Sequence, residues 1–171
     1  MEFILPNKKY FDTYKEARAE YFECKVTAYE FLDADKVDIF KVMRNSREGI
    51  GLPEGYVPAT YLWLVDQGEF IGEVSIRHKL TESLLHFGGH IGYGVRVKKW
   101  KQGYGTILLQ QALEYAFKVI KLDEILITCS DNNIGSYKVI EKNGGVLQDK
   151  IINIINGDER LTRRYWINCK H

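Results

Sequence analysis

Val95-Arg96-Val97-Lys98-Lys99-Trp100-Lys101-Gln102-Gly103-Tyr104-Gly105-Thr106 joins the end of an apolar, strand-type run to the start of a helix-type run. The junction is a basic turn with two glycines. Glycine lets a backbone approach a ligand closely and adopt positive φ. The first amides of a helix have no partner inside it, and the macrodipole is positive at that end. A turn of this kind cradles a pyrophosphate, and Lys98, Lys99 and Lys101 add charge for further phosphates. The dinucleotide fingerprint fails here, because Leu108 stands where its third glycine belongs. The Walker A run Gly-Lys-Ser/Thr is also missing. Taken alone, the same residues equally describe a helix start beside solvated lysines.

Working outward, the spacing predicts a strand over 90–97 before this turn and a helix over 103–120 after it. Leu108, Leu109, Ala112, Leu113, Ala116 and Phe117 form the apolar stripe of that helix. Glu124-Ile125-Leu126-Ile127-Thr128-Cys129 reads as a buried strand. A short helix over 133–143 is closed by Gly144-Gly145. A hairpin of strands 146–155 and 160–168 turns at Asn156-Gly157. Upstream, strands at 60–65 and 70–76 flank Asp66-Gln67-Gly68-Glu69. Helices are expected over 11–23 and 36–45, with a loop over 46–58. The order is two helices, three antiparallel strands, helix, strand, helix and hairpin, which makes an α/β fold with a mixed sheet and helices on both faces.

Composition narrows the class. Of 171 residues, 45% are hydrophobic and 27% charged, so a folded globular chain is expected. The net charge of +1 gives no global attraction to nucleic acid or membrane. Residues 1–9 hold no signal-type apolar run, and a cytoplasmic location is expected. Cys24, Cys129 and Cys169 are odd in number and lack CxxC spacing, which argues for reduced thiols. His86 and His90 are four apart, but no Cys or carboxylate completes a ligand set, so no metal is expected.

Residues 60–168 resemble the GNAT superfamily of acetyltransferases. Their acetyl-CoA loop, Arg/Gln-x-x-Gly-x-Gly/Ala, is matched by Trp100-Lys101-Gln102-Gly103-Tyr104-Gly105, with Trp in place of the first residue. A second match is Asn133-Ile134-Gly135-Ser136 followed by Val139-Ile140-Glu141-Lys142-Asn143-Gly144-Gly145. Gly88-Gly89-His90-Ile91-Gly92-Tyr93, Ile127-Thr128-Cys129 and Arg164-Tyr165-Trp166-Ile167 are similar to one bacterial branch of predicted acetyltransferases. The resemblance implies one N-acetyltransferase domain over residues 1–171, with a mostly antiparallel sheet splayed at its centre. It implies acetyl-CoA as co-substrate, no metal, and a small-molecule or peptide amine as acceptor. It is compatible with a homodimer.

It also implies direct attack of the amine on the thioester in a ternary complex. The cofactor would be held by Val95, Arg96, Val97, Lys101, Gln102, Gly103, Tyr104, Gly105, Thr106, Asn133 and Ser136. Val95 and Val97 would pair with its pantetheine arm through backbone groups. His90 is the first candidate for general base, since it stands where relatives place theirs and titrates near neutrality. Glu73 is the alternative; pointing outward, it would be only a solvated face residue. The usual donor tyrosine is replaced by Ile140, leaving Tyr137 as candidate acid or as a packing aromatic. A non-catalytic acyl-CoA-binding or sensing module is the competing reading.

Overall fold

The computed structural model describes residues 1–169. A short strand β1 (Glu2–Ile4) leads through a 3-10 turn (Lys8–Tyr10) into α1 (Phe11–Glu23) and α2 (Ile39–Glu48). The hairpin β2 (Ala59–Asp66) and β3 (Glu69–Arg77) precedes α3 (Glu82–His86) and β4 (Ile91–Val95). After a 3-10 turn at Val97–Lys99 come α4 (Tyr104–Tyr115), β5 (Glu124–Ser130), α5 (Ile134–Lys142), β6 (Val146–Ile155) and β7 (Asp158–Asn168). A π-helical turn over Ala116–Ile120 prolongs α4.

Local chemistry sets most of these limits. Asp38 caps α2 by accepting from the amides of Phe40 and Lys41, and Gly49 ends it in a left-handed conformation. The helix therefore starts and stops three residues later than periodicity predicted. Gln67 and Gly68 both take positive φ, as the β2–β3 turn requires. β1 and α3 were not foreseen, because three and five residues are too few to show a period.

The strands form two sheets, ordered β1-β2-β3-β4 and β5-β7-β6, with every ladder antiparallel. The break falls between β4 and β5, where the mostly antiparallel sheet was expected to splay. On one face, α1 and α2 pack an aromatic core of Tyr14, Phe31, Trp63 and Phe70, with Tyr14 stacked on Trp63 at 4.9 Å. On the other, α4 buries Leu108, Leu109, Ala112 and Leu113 against Leu64, Ile71, Val74, Ile125 and Ile127. No described helix is long and apolar enough to cross a membrane.

The two sheets meet at one corner. The His90 amide donates to Leu126 O at 2.7 Å, and the Leu126 amide donates to His90 Nδ1 at 3.0 Å. Gly89 makes this approach feasible: a Cβ there would lie 2.5 Å from Leu126 O, and its φ is +59°.

Candidate active site

Ladder alternation decides which backbone groups β4 offers. Arg77 donates to His90 O at 2.7 Å and Arg96 donates to Ile71 O at 2.9 Å. Between those two bonded pairs the register makes Ser75/Gly92 and Glu73/Gly94 the bonded pairs as well. The amides and carbonyls of Ile91, Tyr93 and Val95 therefore turn away from β3, toward β5. An extended, amide-bearing arm pairs with an edge of this kind. Val95 sits on it. Val97 does not, because it has left the strand for the 3-10 turn, and Tyr93 is the second edge residue. Tyr93 escaped the sequence reading because backbone direction follows register, which needs the partner strand. The Val95 carbonyl also accepts from Tyr21 Oη at 2.9 Å and Trp100 Nε1 at 2.7 Å.

Beyond β4, Lys101 and Gly103 take φ of +60° and +86°, and Gly103 caps α4 without any side-chain bond to the first turn. Thr106 and Ile107 donate to Gly103 O at 3.1 and 3.3 Å. The amides just before them are the ones a helix start leaves for a ligand. A Cβ at Gly103 would meet nothing within 4 Å, whereas at Gly105 it would lie 3.4 Å from Val139. Gly103 thus borders open space, and Gly105 lets α4 pack on α5. Tyr104 Oη donates to Asp66 at 2.9 Å, and Gln102 Nε2 donates to Lys98 O at 3.0 Å. Both side chains brace the loop, leaving the backbone as its contact surface.

Arg96 is turned inward. It is 3% exposed; Nη2 bonds Glu20 at 2.6 Å and Glu16 at 3.1 Å, and Glu69 lies 3.7 Å from Nη1. The other Glu20 oxygen accepts from the Lys98 amide at 3.2 Å. One α1 carboxylate therefore holds both the end of β4 and the turn entering the loop. Glu20→Ala leaves the guanidinium buried with only the two more exposed carboxylates and a long bond to the Phe70 carbonyl, and should cost about 3 kcal/mol in urea-unfolding stability. A loss below about 1 kcal/mol, the worth of a surface pair, would show that the pair is not structural.

Downstream, Asn133 caps α5 by accepting from the Ser136 amide at 3.1 Å, and Ser136 Oγ lies 3.1 Å from Tyr93 Oη. Asn133 and Ser136 are therefore engaged within the fold, beside the β4 edge. Tyr137 lies under Arg163, whose guanidinium carbon is 3.9 Å from the ring centroid. Buried Cys129, on β5, has its thiol pushed up to about 11 by desolvation.

Glu73 points into the protein with no exposure, contrary to the solvated-face reading. Its oxygens accept from Tyr29 Oη and Trp63 Nε1, both at 2.7 Å. Burial pushes its carboxyl up to about 7, against the opposing pull of these two bonds. Tyr29 lies over Gly92 and Gly94: a Cβ at Gly94 would come within 2.8 Å of its ring. The room those glycines leave on the shared face of His90, Gly92 and Gly94 is occupied by this ring.

His90 is 6% exposed and its pKa falls to about 4, first through desolvation and then through Arg77. Its Nδ1 lone pair receives the Leu126 amide, so the neutral ring carries its proton on Nε2. It lines a cavity of about 640 Å³ with Leu80, Leu85, Leu122, Asp123, Glu124 and Trp166.

Residues 17–146 match the family defined as the acetyltransferase (GNAT) domain. The chain belongs to the GNAT acetyltransferase family. Among curated relatives, the uncharacterized N-acetyltransferase YnaD of Bacillus subtilis (strain 168) is 39% identical over 62 residues, 34% of this chain and 36% of that protein. The match therefore spans about a third of that relative's length. Solved GNAT structures share the fold. RimL, a ribosomal L7/L12 alpha-N-protein acetyltransferase in complex with coenzyme A, superposes with a TM-score of 0.73 at 15% identity, covering 97% of this chain and 92% of its own. A spermidine N-acetyltransferase SpeG chimera from Vibrio cholerae and hSSAT gives 0.69 at 15%, covering 98% and 96%. The ribosomal-protein-S5-alanine acetyltransferase of Vibrio fischeri gives 0.69 at 18%, covering 98% and 93%. In this GNAT domain, the edge of β4 and the uncapped start of α4 are backbone surfaces that fit acetyl-CoA.

Proposed function

We propose that the protein transfers an acetyl group from acetyl-CoA to a primary amine by direct attack in a ternary complex. The observation that carries this reading is the continuity of the β4 edge at Tyr93 and Val95 with the left-handed turn at Lys101–Gly103 and the uncapped α4. Acetyl-CoA supplies the activated acyl group as a thioester. The α4 amides hold its phosphates, and the β4 edge pairs with its amide-bearing arm. For an arm amide to use the Val95 carbonyl, Tyr21 or Trp100 must give way.

The proton of the attacking amine goes to Glu73. The Tyr29 ring lies over Gly92 and Gly94 while its Oη donates to Glu73; Tyr29 takes a proton from the amine side as it passes its own to Glu73. Trp63 fixes the second carboxylate oxygen. A carboxyl near 7 is well matched to base catalysis at neutral pH. His90 does not suit the role expected of it, because its one lone pair is already used and its pKa is low.

Thiol release from acetyl-CoA over an amine panel tests the reaction, with spermidine and free peptide N-termini first, the acceptor classes named for two structural relatives. Release that depends on the amine is expected. Acetyl-CoA binding with no amine-dependent release would favour the sensing module. Tyr137→Phe should hold kcat within about tenfold, since a thiol of pKa ~8.5 is a tolerable leaving group without an acid. A drop of about 10²-fold or more would make Tyr137 the proton donor.

A further inference from the structure

We infer that the open edge of β6 is a self-pairing surface, on which two copies of this chain join antiparallel about Asn153 into a twofold dimer. The inference goes beyond acetyl transfer and does not depend on it. β6 is the outer strand of the sheet ordered β5-β7-β6, and no described strand lies on its far side. It is ten residues long, whereas β1, the outer strand of the other sheet, has three. Long open edges are usually blunted by charge, proline or a bulge. The first half of β6 has such devices: a bulge between Leu147 and Asp149, and the charges of Asp149 and Lys150. The second half, Ile151-Ile152-Asn153-Ile154-Ile155, has none, and Ile152 and Ile154 are 64% and 66% exposed.

What covers this edge follows from its backbone and its order. Ile155 and Asp158 flank the two-residue turn and form a bonded pair. Bonded pairs alternate along the ladder, so Asn153/Arg160 and Ile151/Thr162 are bonded too, and the amides and carbonyls of Ile152 and Ile154 point outward. Those groups call for another strand. In an isologous contact residue i meets j and j meets i, so an antiparallel strand suits its own copy best when its sequence reads the same in both directions. Residues 151–155 do. With Asn153 on the axis, Ile152 of each copy faces Ile154 of the other, and their outward groups exchange both N–H···O bonds. On the opposite face Ile151 meets Ile155. Asn153 needs nothing from the second copy, since its Nδ2 already donates to Thr162 Oγ1 at 3.0 Å and to His86 O at 3.1 Å. Leu161, opposite Ile152 on β7 and itself exposed, widens the apolar strip that the pairing covers.

Sedimentation velocity of the full chain tests the inference. A monomer–dimer equilibrium is expected, with Kd on the order of 10 µM for so small an interface. Ile154→Pro removes an outward amide and no β6–β7 bond. It should stay folded by circular dichroism and sediment as a monomer. Ile152→Glu and Ile154→Lys should each raise Kd about tenfold or more, since each change occurs twice in the dimer. Both positions are exposed, and Glu159 stands opposite the second, so neither charge burdens the fold. Combined, the two substitutions set a carboxylate opposite an ammonium on both sides of the axis, and the double variant should dimerise nearly as well as the parent. Any other register that pairs the outward groups would bring like charges together. A parent that stays monomeric up to about 1 mM, a dimer unmoved by Ile154→Pro and by both single charges, or a double variant no better than the singles would overturn the inference.

Discussion

Glu73→Gln should lower kcat/KM by about 10²–10⁴-fold, the usual range for removing a general base. Acetyl-CoA affinity should be retained, because the Glu73 side chain lies on the Tyr29 face of the sheet and makes no use of the outer β4 edge. In the parent protein the rate should rise with pH through about 7, as Glu73 loses its proton, and this limb should vanish in the variant. Stability moves the opposite way. A carboxyl raised by burial favours the protonated fold, so its contribution is complete below the unfolded pKa and is lost as pH climbs through about 7. His90 has the reverse sign: its pKa is lowered to about 4, so its contribution is present above the unfolded value and is lost as pH falls toward 4. The two slopes oppose each other between about 4.5 and 6.5. Removing the Glu73 carboxyl should expose the His90 slope, and melting temperature should then rise with pH across that window. A pH–rate profile unchanged in shape in a folded variant would exclude Glu73 as the base.

Gly103→Asp should abolish measurable acetyl-CoA binding. The substitution puts a carboxylate where the α4 amides would receive phosphates, reversing the local charge. The fold should survive. A Cβ at this glycine meets nothing within 4 Å, and Asp tolerates the left-handed φ of +86° better than most residues. Gly103→Asn is the control, since it has the same shape and the same tolerance without the charge. It should bind more weakly than the parent and far better than the Asp variant, as measured by titration with CoA. Equal affinity in the parent and the Asp variant would remove the phosphates from this turn.

Much of this was legible in the residues themselves. The limits of α1, the β2–β3 and β6–β7 hairpins, and the strand–turn–helix at 95–106 were read within about a residue or two, apart from the early end of β4. Each depends on groups a few positions apart: a glycine with positive φ, an alternating run, an apolar stripe. The proposed cofactor loop belongs to this class, since the amides it would offer are aimed by the backbone conformation of Lys101 and Gly103.

The catalytic side was different. Whether Glu73 faces water or the core could not be read from Phe70-Ile71-Gly72-Glu73-Val74-Ser75-Ile76, because both faces of β3 are buried and the run shows no clean alternation. Its burial comes from Trp63 and Tyr29, its raised pKa from the water they exclude, and Tyr29 stands 44 residues away in sequence. His90 looked like a base by type and position. Leu126, 36 residues on, claims its lone pair and makes it a donor. Arg96 stood among the residues expected to hold the cofactor, but Glu20, 76 residues away, draws it inward. The sequence alone determined backbone conformation, which short-range sterics and caps decide. Only the tertiary structure decided protonation and side-chain direction, because desolvation and hydrogen-bond partners are set by segments that meet only in the folded chain.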